Sequence, residues 1–104
     1  MPTPNPIAAP ADASSDAALA RSIAAGDQQA FVLLMRRHNQ LLFRTARSIL
    51  HDDLDAEDAV QDAYLQAYRS IAQFRGDARL STWLTRIVVN ASIARARKRS
   101  RGAE

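Results

Sequence analysis

The spacing of the apolar residues constrains the fold most, because these residues recur every three or four positions and do not alternate strictly. In the longest such segment they are Phe31, Leu34, Met35, Leu42, Ala46 and Ile49. A repeat near 3.6 residues places side chains along one face of an α-helix, whereas a strand needs a repeat of two. We therefore predict an all-α fold, a compact bundle of about four helices built around a long antiparallel helical hairpin.

The N-terminal third of the chain combines a polar leader with two predicted helices. Residues 1–14 are rich in Pro, Ala and Ser and lack periodic apolar residues, so we predict a disordered leader. The first helix is expected from about Asp16 to Ala25, with Ser15 as its cap and Gly26 at its end. The second, long helix is expected to begin at Asp27, a capping residue, and to continue to about Leu50.

Two further helices, separated by a loop, are predicted in the rest of the chain. Asp55 is expected to cap the third helix, and Ser81 or Thr82 the fourth, with a loop from Gln73 to Leu80 between them. The inward residues of the third helix are predicted to be Val60, Ala63, Tyr64, Ala67 and Ile71. Those of the fourth are predicted to be Leu84, Ile87, Val88 and Ala91. A second set on the fourth helix, at helical spacing and free for a partner, comprises Trp83, Arg86, Asn90 and Arg97.

Charge is segregated along the chain, although the net charge is only +3. The acidic block consists of Asp52, Asp53, Asp55, Glu57, Asp58 and Asp62. The basic block consists of Arg79, Arg86, Arg95, Arg97, Lys98, Arg99 and Arg101. A basic block can neutralise phosphates, while an acidic one favours a protein partner. Charge alone leaves open that both blocks are simply solvated faces.

Several functional classes are excluded by what the sequence lacks. It has no cysteine and only two histidines, His38 and His51, neither in a zinc-binding spacing, so we predict no metal site. No Gly-rich phosphate loop, nucleophile motif or catalytic carboxylate pair is present, which argues against an enzyme, a cofactor or a small-molecule substrate. No apolar run reaches the roughly 20 residues of a membrane span, so we predict no membrane insertion and a cytoplasmic location.

One stretch combines the residue types that recognise single-stranded nucleic acid. A loop with Phe74, Arg75, Asp77 and Arg79 leads into a helix carrying Ser81, Thr82, Trp83, Arg86 and Asn90. Aromatic and guanidinium planes stack on unpaired bases, and an asparagine amide can pair with a base edge. Other interpretations remain open for each part: Phe74 as a core residue, Trp83 as half-buried packing, and the segment 95–101 as a frayed end. Tyr64 and Tyr68 are expected to be packing residues.

Two segments, DAEDAVQDAYLQAY (Asp55 to Tyr68) and FRGDARLSTWLTRIVVN (Phe74 to Asn90), closely resemble successive motifs of extracytoplasmic-function sigma factors of the sigma-70 family. The resemblance extends from about Leu19 to Arg101 and implies the fold of sigma region 2, over a domain expected at residues 15–101. It also implies a transcription initiation factor with two partners, the β′ subunit of RNA polymerase core and the non-template strand of the promoter minus-ten element. An anti-sigma factor is a further implied partner.

The resemblance also implies site residues. By position, the polymerase-binding residues would be Asp55, Asp58, Gln61, Asp62 and Leu65. The DNA-binding residues would be Phe74, Arg75, Gly76, Asp77, Arg79, Ser81, Thr82, Trp83, Arg86, Asn90, Arg97 and Lys98. Residues 102–104 would be a tail, and the helix-turn-helix domain (region 4) that follows in the family is not expected in this chain. We interpret the chain as an excised domain, with a natural single-domain relative as the alternative. Two alternatives remain: a helical interaction module bound by a regulator without DNA contacts, and a basic nucleic-acid binder without sequence preference.

Overall fold

The protein is described by a computed structural model that covers residues 10–102, with side chains described from Asp16 onward. The chain forms four α-helices, α1 (Pro10–Ala24), α2 (Gln28–Leu50), α3 (Asp53–Ser70) and α4 (Leu80–Gly102), with a 3-10 turn at Ile71–Gln73. The helices α2 and α3 form a hairpin, and α4 packs against both. The predicted all-α bundle is confirmed.

The helix α1 begins earlier than the sequence predicted. It starts at Pro10 rather than Asp16, so residues 10–14 are helical and the predicted cap Ser15 lies within the helix. Proline is favoured in the first turn, where its missing N–H costs nothing, and the alanines that follow have the highest helix propensity. The remainder of the predicted leader, residues 1–9, lies outside the described residues.

The helix α2 has the start and the end that the sequence predicted. An Asp27 carboxylate oxygen accepts hydrogen bonds from the N–H groups of Gln29 (3.0 Å) and Ala30 (3.2 Å), which otherwise lack partners in the first turn. At the other end His51 takes a left-handed conformation with φ 58°, and its N–H donates to the Arg47 carbonyl at 2.8 Å. The buried face of α2 includes Leu34, Leu42 and Ala46 from the predicted stripe.

The helix α3 begins at Asp53, so the prediction that Asp55 caps it was wrong. The cap is Asp52, whose carboxylate accepts the Asp55 N–H at 2.9 Å. The helix α2 ends at Leu50, and the chain changes direction at His51. Asp52, the first acid after this turn, therefore takes the capping position of α3. All five residues of the predicted inward stripe are buried.

The loop of residues 74–79 joins the 3-10 turn to α4, with Gly76 at φ +84°, a conformation that suits glycine. The predicted cap at Ser81 or Thr82 was wrong, because α4 already begins at Leu80. The Leu80 N–H donates to an Asp16 carboxylate oxygen at 2.9 Å, so a residue of α1 satisfies this group across the tertiary structure. The helix continues through the basic segment to Gly102, and residues 103–104 of the predicted tail lie outside the described residues.

Candidate nucleic-acid interface

A small cavity of about 160 Å³ lies between the 74–79 loop and the first turns of α4. It is lined by Gln73, Phe74, Arg75, Gly76, Asp77, Ala78, Trp83 and Arg86. Six of these residues belong to the DNA-binding set that the resemblance implied, so the fold brings half of that set to one place. No atom lies within 4 Å of the position that a Cβ on Gly76 would take, so this wall of the cavity remains open.

The aromatic wall of this cavity, hereafter the loop cavity, is formed by two rings in contact. Phe74 and Trp83 meet edge to face, with ring centroids 5.6 Å apart and an angle of 64° between their planes. Both side chains are partly buried and pack against the hydrophobic core. The core interpretation of Phe74 and the stacking interpretation of Trp83 are therefore compatible, because the same rings anchor the loop and line its cavity.

The other residues of the implied DNA-binding set lie along α4 at increasing distance from the loop cavity. Thr82, Asn90 and Arg97 are exposed, and the helical repeat places Asn90 and Arg97 on the same side of α4 as Trp83. At 1.5 Å per residue Arg97 lies about 21 Å from Trp83 along the helix. Ser81 is half-buried and falls on the side of the core residues, while Lys98 lines a different cavity, against Asp62 and Gln66 of α3. Arg79 is exposed and forms the end of the loop.

The basic residues at the C-terminal end of α4 lie on two different faces of the helix, one against α3 and one exposed. The sequence did not indicate this division. Arg95 continues the buried stripe of α4 and pairs with Asp62 (3.1 Å) and Asp58 (3.7 Å) of α3. Arg99, one turn later, pairs with Asp55 and donates to the Leu50 carbonyl at 3.3 Å, at the C-terminal end of α2. Charge segregation had suggested that the two blocks meet different partners, but the fold places part of one directly against the other.

The exposed face of α3 carries a seam of residues at steps of four, three, four and three positions. Its members are Leu54, Asp58, Gln61, Leu65 and Tyr68. Leu54 is 72%, Leu65 56% and Tyr68 48% exposed, which is unusual for apolar and aromatic side chains on one face. The sequence predictions omitted Leu54 as a site residue. They treated Tyr68 as packing, and its ring does pack edge to face on Phe31, with centroids 5.1 Å apart, although the side chain is also exposed. The four-and-three spacing could have revealed both, since it is the spacing with which a helix meets another helix.

Two cavities flank Tyr64 in the groove between α2 and α3. One, of about 390 Å³, is lined by Met35, Asn39, Phe43, Glu57, Val60, Gln61 and Tyr64. The other, of about 370 Å³, is lined by Gln28, Phe31, Val32, Tyr64, Leu65 and Tyr68. Gln61 and Leu65 therefore edge this groove, whereas Asp55, Asp58 and Asp62 lie towards α4. The implied polymerase-binding set is divided between the two sides of α3.

Tyr64 joins α3 to α2 within this groove through hydrogen bonds and a ring contact. Its hydroxyl donates to the Asn39 side-chain oxygen at 2.7 Å, with the Met35 carbonyl 3.3 Å away. Its ring meets Phe31 edge to face at 6.2 Å. Burial disfavours the charged phenolate and raises the pKa of Tyr64 to about 12.

This pKa gives a prediction for alkaline pH. The unfolded chain releases the Tyr64 proton near pH 10 and the folded chain only near pH 12, so the folded state binds more protons between these values. The free energy of unfolding is therefore expected to fall as the pH rises from 10 towards 12. Tyr64→Phe should lower stability by about 1 kcal/mol near neutral pH through the lost hydrogen bond, and should show a smaller alkaline decrease. Urea unfolding of both proteins at several pH values checks this, and parallel pH profiles would contradict it.

The described part of the chain shows neither a metal site nor a membrane-spanning helix. No group of three or more His, Asp or Glu side chains is arranged to hold a metal ion among those residues. None of the described helices has the length and apolarity that crossing a bilayer would require.

Comparison with known proteins assigns the chain, including the 74–79 loop and α4, to a family. Residues 34–102 match the Sigma-70 region 2 family, and the chain belongs to that family as region 2 of an extracytoplasmic-function sigma factor. It is 50% identical over 84 residues to the ECF RNA polymerase sigma factor SigM of Mycobacterium tuberculosis, spanning 81% of this chain and 43% of that protein. It is 39% identical over 83 residues to the ECF RNA polymerase sigma-E factor of Haemophilus influenzae, spanning 79% of this chain and 43% of that protein. The chain thus spans less than half the length of these relatives.

Two solved structures are similar in fold and in sequence. An engineered region 2 of sigmaE, solved by NMR in complex with GTAAAA, superposes with a TM-score of 0.78 and 32% identity over 86% of this chain and 93% of that one. CnrH, solved in complex with the cytosolic domain of CnrY, gives a TM-score of 0.68 and 35% identity over 76% of this chain and 51% of that one. Membership in a family of initiation factors confirms the prediction that the chain is not an enzyme.

Proposed function

We propose that this chain docks on bacterial RNA polymerase core through α3 and captures unpaired bases of the promoter minus-ten element with the 74–79 loop and α4. The loop cavity carries the proposal, because it joins an aromatic wall to two exposed guanidinium groups, Arg75 and Arg86. A relative with the same fold was solved in complex with GTAAAA, which supports binding of a promoter strand here. A role on polymerase would place the chain in the cytoplasm.

The residues of the loop cavity suit a flipped base. The base would stack on the exposed part of Trp83, while Arg75 and Arg86 would neutralise the phosphates on either side. Asp77 and the open wall at Gly76 would offer an acceptor and space for the base edge. Along the same face of α4, Asn90 would meet a second base, and Arg97 would meet the strand further along.

Energetics explain why DNA opening would need polymerase as well. Removing a base from the duplex costs a few kcal/mol, while stacking on one aromatic side chain returns about 1–3 kcal/mol. A single stacked base therefore does not open the duplex, and phosphate contacts and the enclosing polymerase must contribute the rest. The chain would shift the equilibrium between closed and open DNA through contacts that only the open strand can make. No nucleotide hydrolysis is required.

The α3 seam supports a helical partner that packs along α3. Exposed apolar residues at steps of four and three allow a helix to pack along α3, as in a coiled coil. Asp58 and Gln61 lie within that seam and can bond polar groups of the partner. The resemblance to sigma factors implies docking on the coiled-coil helices of the β′ clamp, and a helical surface of that kind would fit this seam.

A second candidate function is supported by the apolar groove between α2 and α3. A regulator that covered Leu65, Tyr68 and the neighbouring cavities would hold the chain away from polymerase without any DNA contact. The relative CnrH was solved in complex with the cytosolic domain of CnrY, which makes a protein regulator a concrete alternative partner. The two functions use the same side of α3, so they would exclude one another in time.

The test is capture of the chain by purified bacterial core polymerase, followed by retention of a labelled single strand on the captured complex. We expect the chain to bind core at moderate salt and the complex to retain a strand with a minus-ten sequence better than a scrambled strand. Core binding without strand selection would favour a docking role alone. Absence of core binding would contradict the proposal and favour the regulator-bound module.

A further inference from the structure

A second cavity, of about 310 Å³, lies beside the loop cavity, between α1 and the 3-10 turn. It is lined by Ala17, Ala20, Arg21, Ala24, Ile71, Ala72, Phe74 and Arg75. Small apolar side chains form most of this lining, and its two charged members are both arginines. No carboxylate lines it among the residues that the structure describes. The combination of apolar surface and guanidinium groups suits a stacked base with its phosphate.

The two cavities adjoin at the loop, because Phe74 and Arg75 line both of them. Phe74 stands between the cavities with Trp83 against one side of its ring. A strand that placed one base in the loop cavity would therefore bring its neighbouring nucleotide to the α1 side of Phe74. Arg75 would lie between the two nucleotides, in reach of the phosphate that links them.

The helix α1 is fixed in place against the loop and α4. Leu19, Ala20 and Ile23 are buried in the core, so α1 is packed rather than loosely attached. The carboxylate of Asp16 accepts a hydrogen bond from the Leu80 N–H at 2.9 Å. This bond connects α1 to the first turn of α4. Arg21 is exposed next to the buried Ala20, so its backbone position is fixed by the packing of α1 and only its side chain must be ordered on binding.

We propose that this cavity is a second subsite for single-stranded DNA, in which Arg21 of α1 and Arg75 of the loop hold the phosphate of the nucleotide that follows the captured base. The inference rests on the proposed function and extends the DNA surface to a helix outside both family motifs. Arg21 was not among the DNA-binding residues that the sequence implied, since nothing local distinguishes it from other exposed arginines.

The test compares Arg21→Ala with Arg44→Ala in complexes with core polymerase, using a short labelled single strand titrated at several salt concentrations. Arg44 is an exposed arginine of α2 that lines neither cavity. Arg21→Ala is expected to weaken strand binding about three- to tenfold. It should also make the negative slope of log affinity against log salt less steep by about 0.7, the value for one single-strand phosphate. Arg44→Ala should leave both values close to those of the unsubstituted chain.

A steric variant tests the cavity independently of charge. Ala24 is an exposed residue of the cavity lining, and Ala24→Leu fills the space with a good helix former without changing the net charge. It should weaken strand binding while the salt slope changes less than in Arg21→Ala. Retention by core polymerase should be unchanged in both variants, because neither substitution touches α3.

The outcomes separate this inference from the proposed function. If Arg21→Ala and Ala24→Leu bind the strand like the unsubstituted chain while Arg86→Ala binds it weakly, the second subsite is wrong and the loop cavity stands. If the unsubstituted complex retains no strand, the proposed DNA function fails and the subsite with it. If Arg44→Ala weakens binding as much as Arg21→Ala, the effect is one of general charge and the subsite is also wrong.

Discussion

Replacement of Asp58, Gln61 and Asp62 by alanine is expected to release the chain from core polymerase while its helical content stays unchanged. All three side chains are exposed on α3, so their removal leaves the buried core intact. Asp58 and Asp62 pair with Arg95, but with side chains 56% and 52% exposed these pairs contribute only about 0–1 kcal/mol each to folding. Asp58 and Gln61 lie within the α3 seam and Asp62 lies beside it, towards α4. Loss of central contacts at an interface costs at least about 2 kcal/mol, or roughly thirtyfold in affinity. Retention on immobilised core, with circular dichroism of each variant, measures both effects.

The ion pairs across α3 and α4 supply a matched control, Arg95→Ala. This substitution breaks the same two pairs but leaves both carboxylates on α3. If the acids contact polymerase directly, Arg95→Ala should be retained at least as well as the unsubstituted chain, because its carboxylates are then unpaired and available. If Arg95→Ala is lost as completely as the triple variant, the acids act by holding Arg95 and the docking assignment is wrong. Equal retention of all three proteins would also contradict it.

Replacement of Trp83 by alanine is expected to abolish measurable strand retention by the polymerase complex. Loss of one stacking contact removes about 1–3 kcal/mol, which corresponds to a factor of about 5 to 150 in affinity. Trp83 is the only tryptophan of the chain, so its fluorescence reports directly on this contact. A single strand that binds the loop cavity should quench the emission of the chain, whereas a fully buried indole would not respond.

Because Trp83 also packs against Phe74 and the core, its truncation lowers stability as well as binding. Arg86→Ala separates the two effects, since Arg86 is exposed and lines the same cavity without contributing to the core. We expect Arg86→Ala to unfold at nearly the same urea concentration as the unsubstituted chain and yet to retain the strand several-fold less well. Normal strand binding by Trp83→Ala in its folded state would remove the loop cavity from the DNA surface.

The sequence predicted which segments are helical better than it predicted where the helices begin and end. The stripe of α2 and the cap at Asp27 were predicted correctly because a long amphipathic pattern and a local side-chain cap depend only on neighbours in the chain. The start of α3 was missed because Asp52, Asp53 and Asp55 can all cap a helix, and the left-handed residue His51 selects between them. The start of α4 was missed because its first N–H is satisfied by Asp16, 64 residues away.

The sequence by itself determined the helical class, the inward faces of α2, α3 and α4, and the membership of one loop and one helix in a known family. These features depend on periodicity and on residue types at fixed local spacing. Only the tertiary structure showed that Arg95 and Arg99 face the acids of α3, and that Arg21 lies beside Phe74 and Arg75. Helical spacing states which residues share a face, but the packing of the helices decides which faces meet.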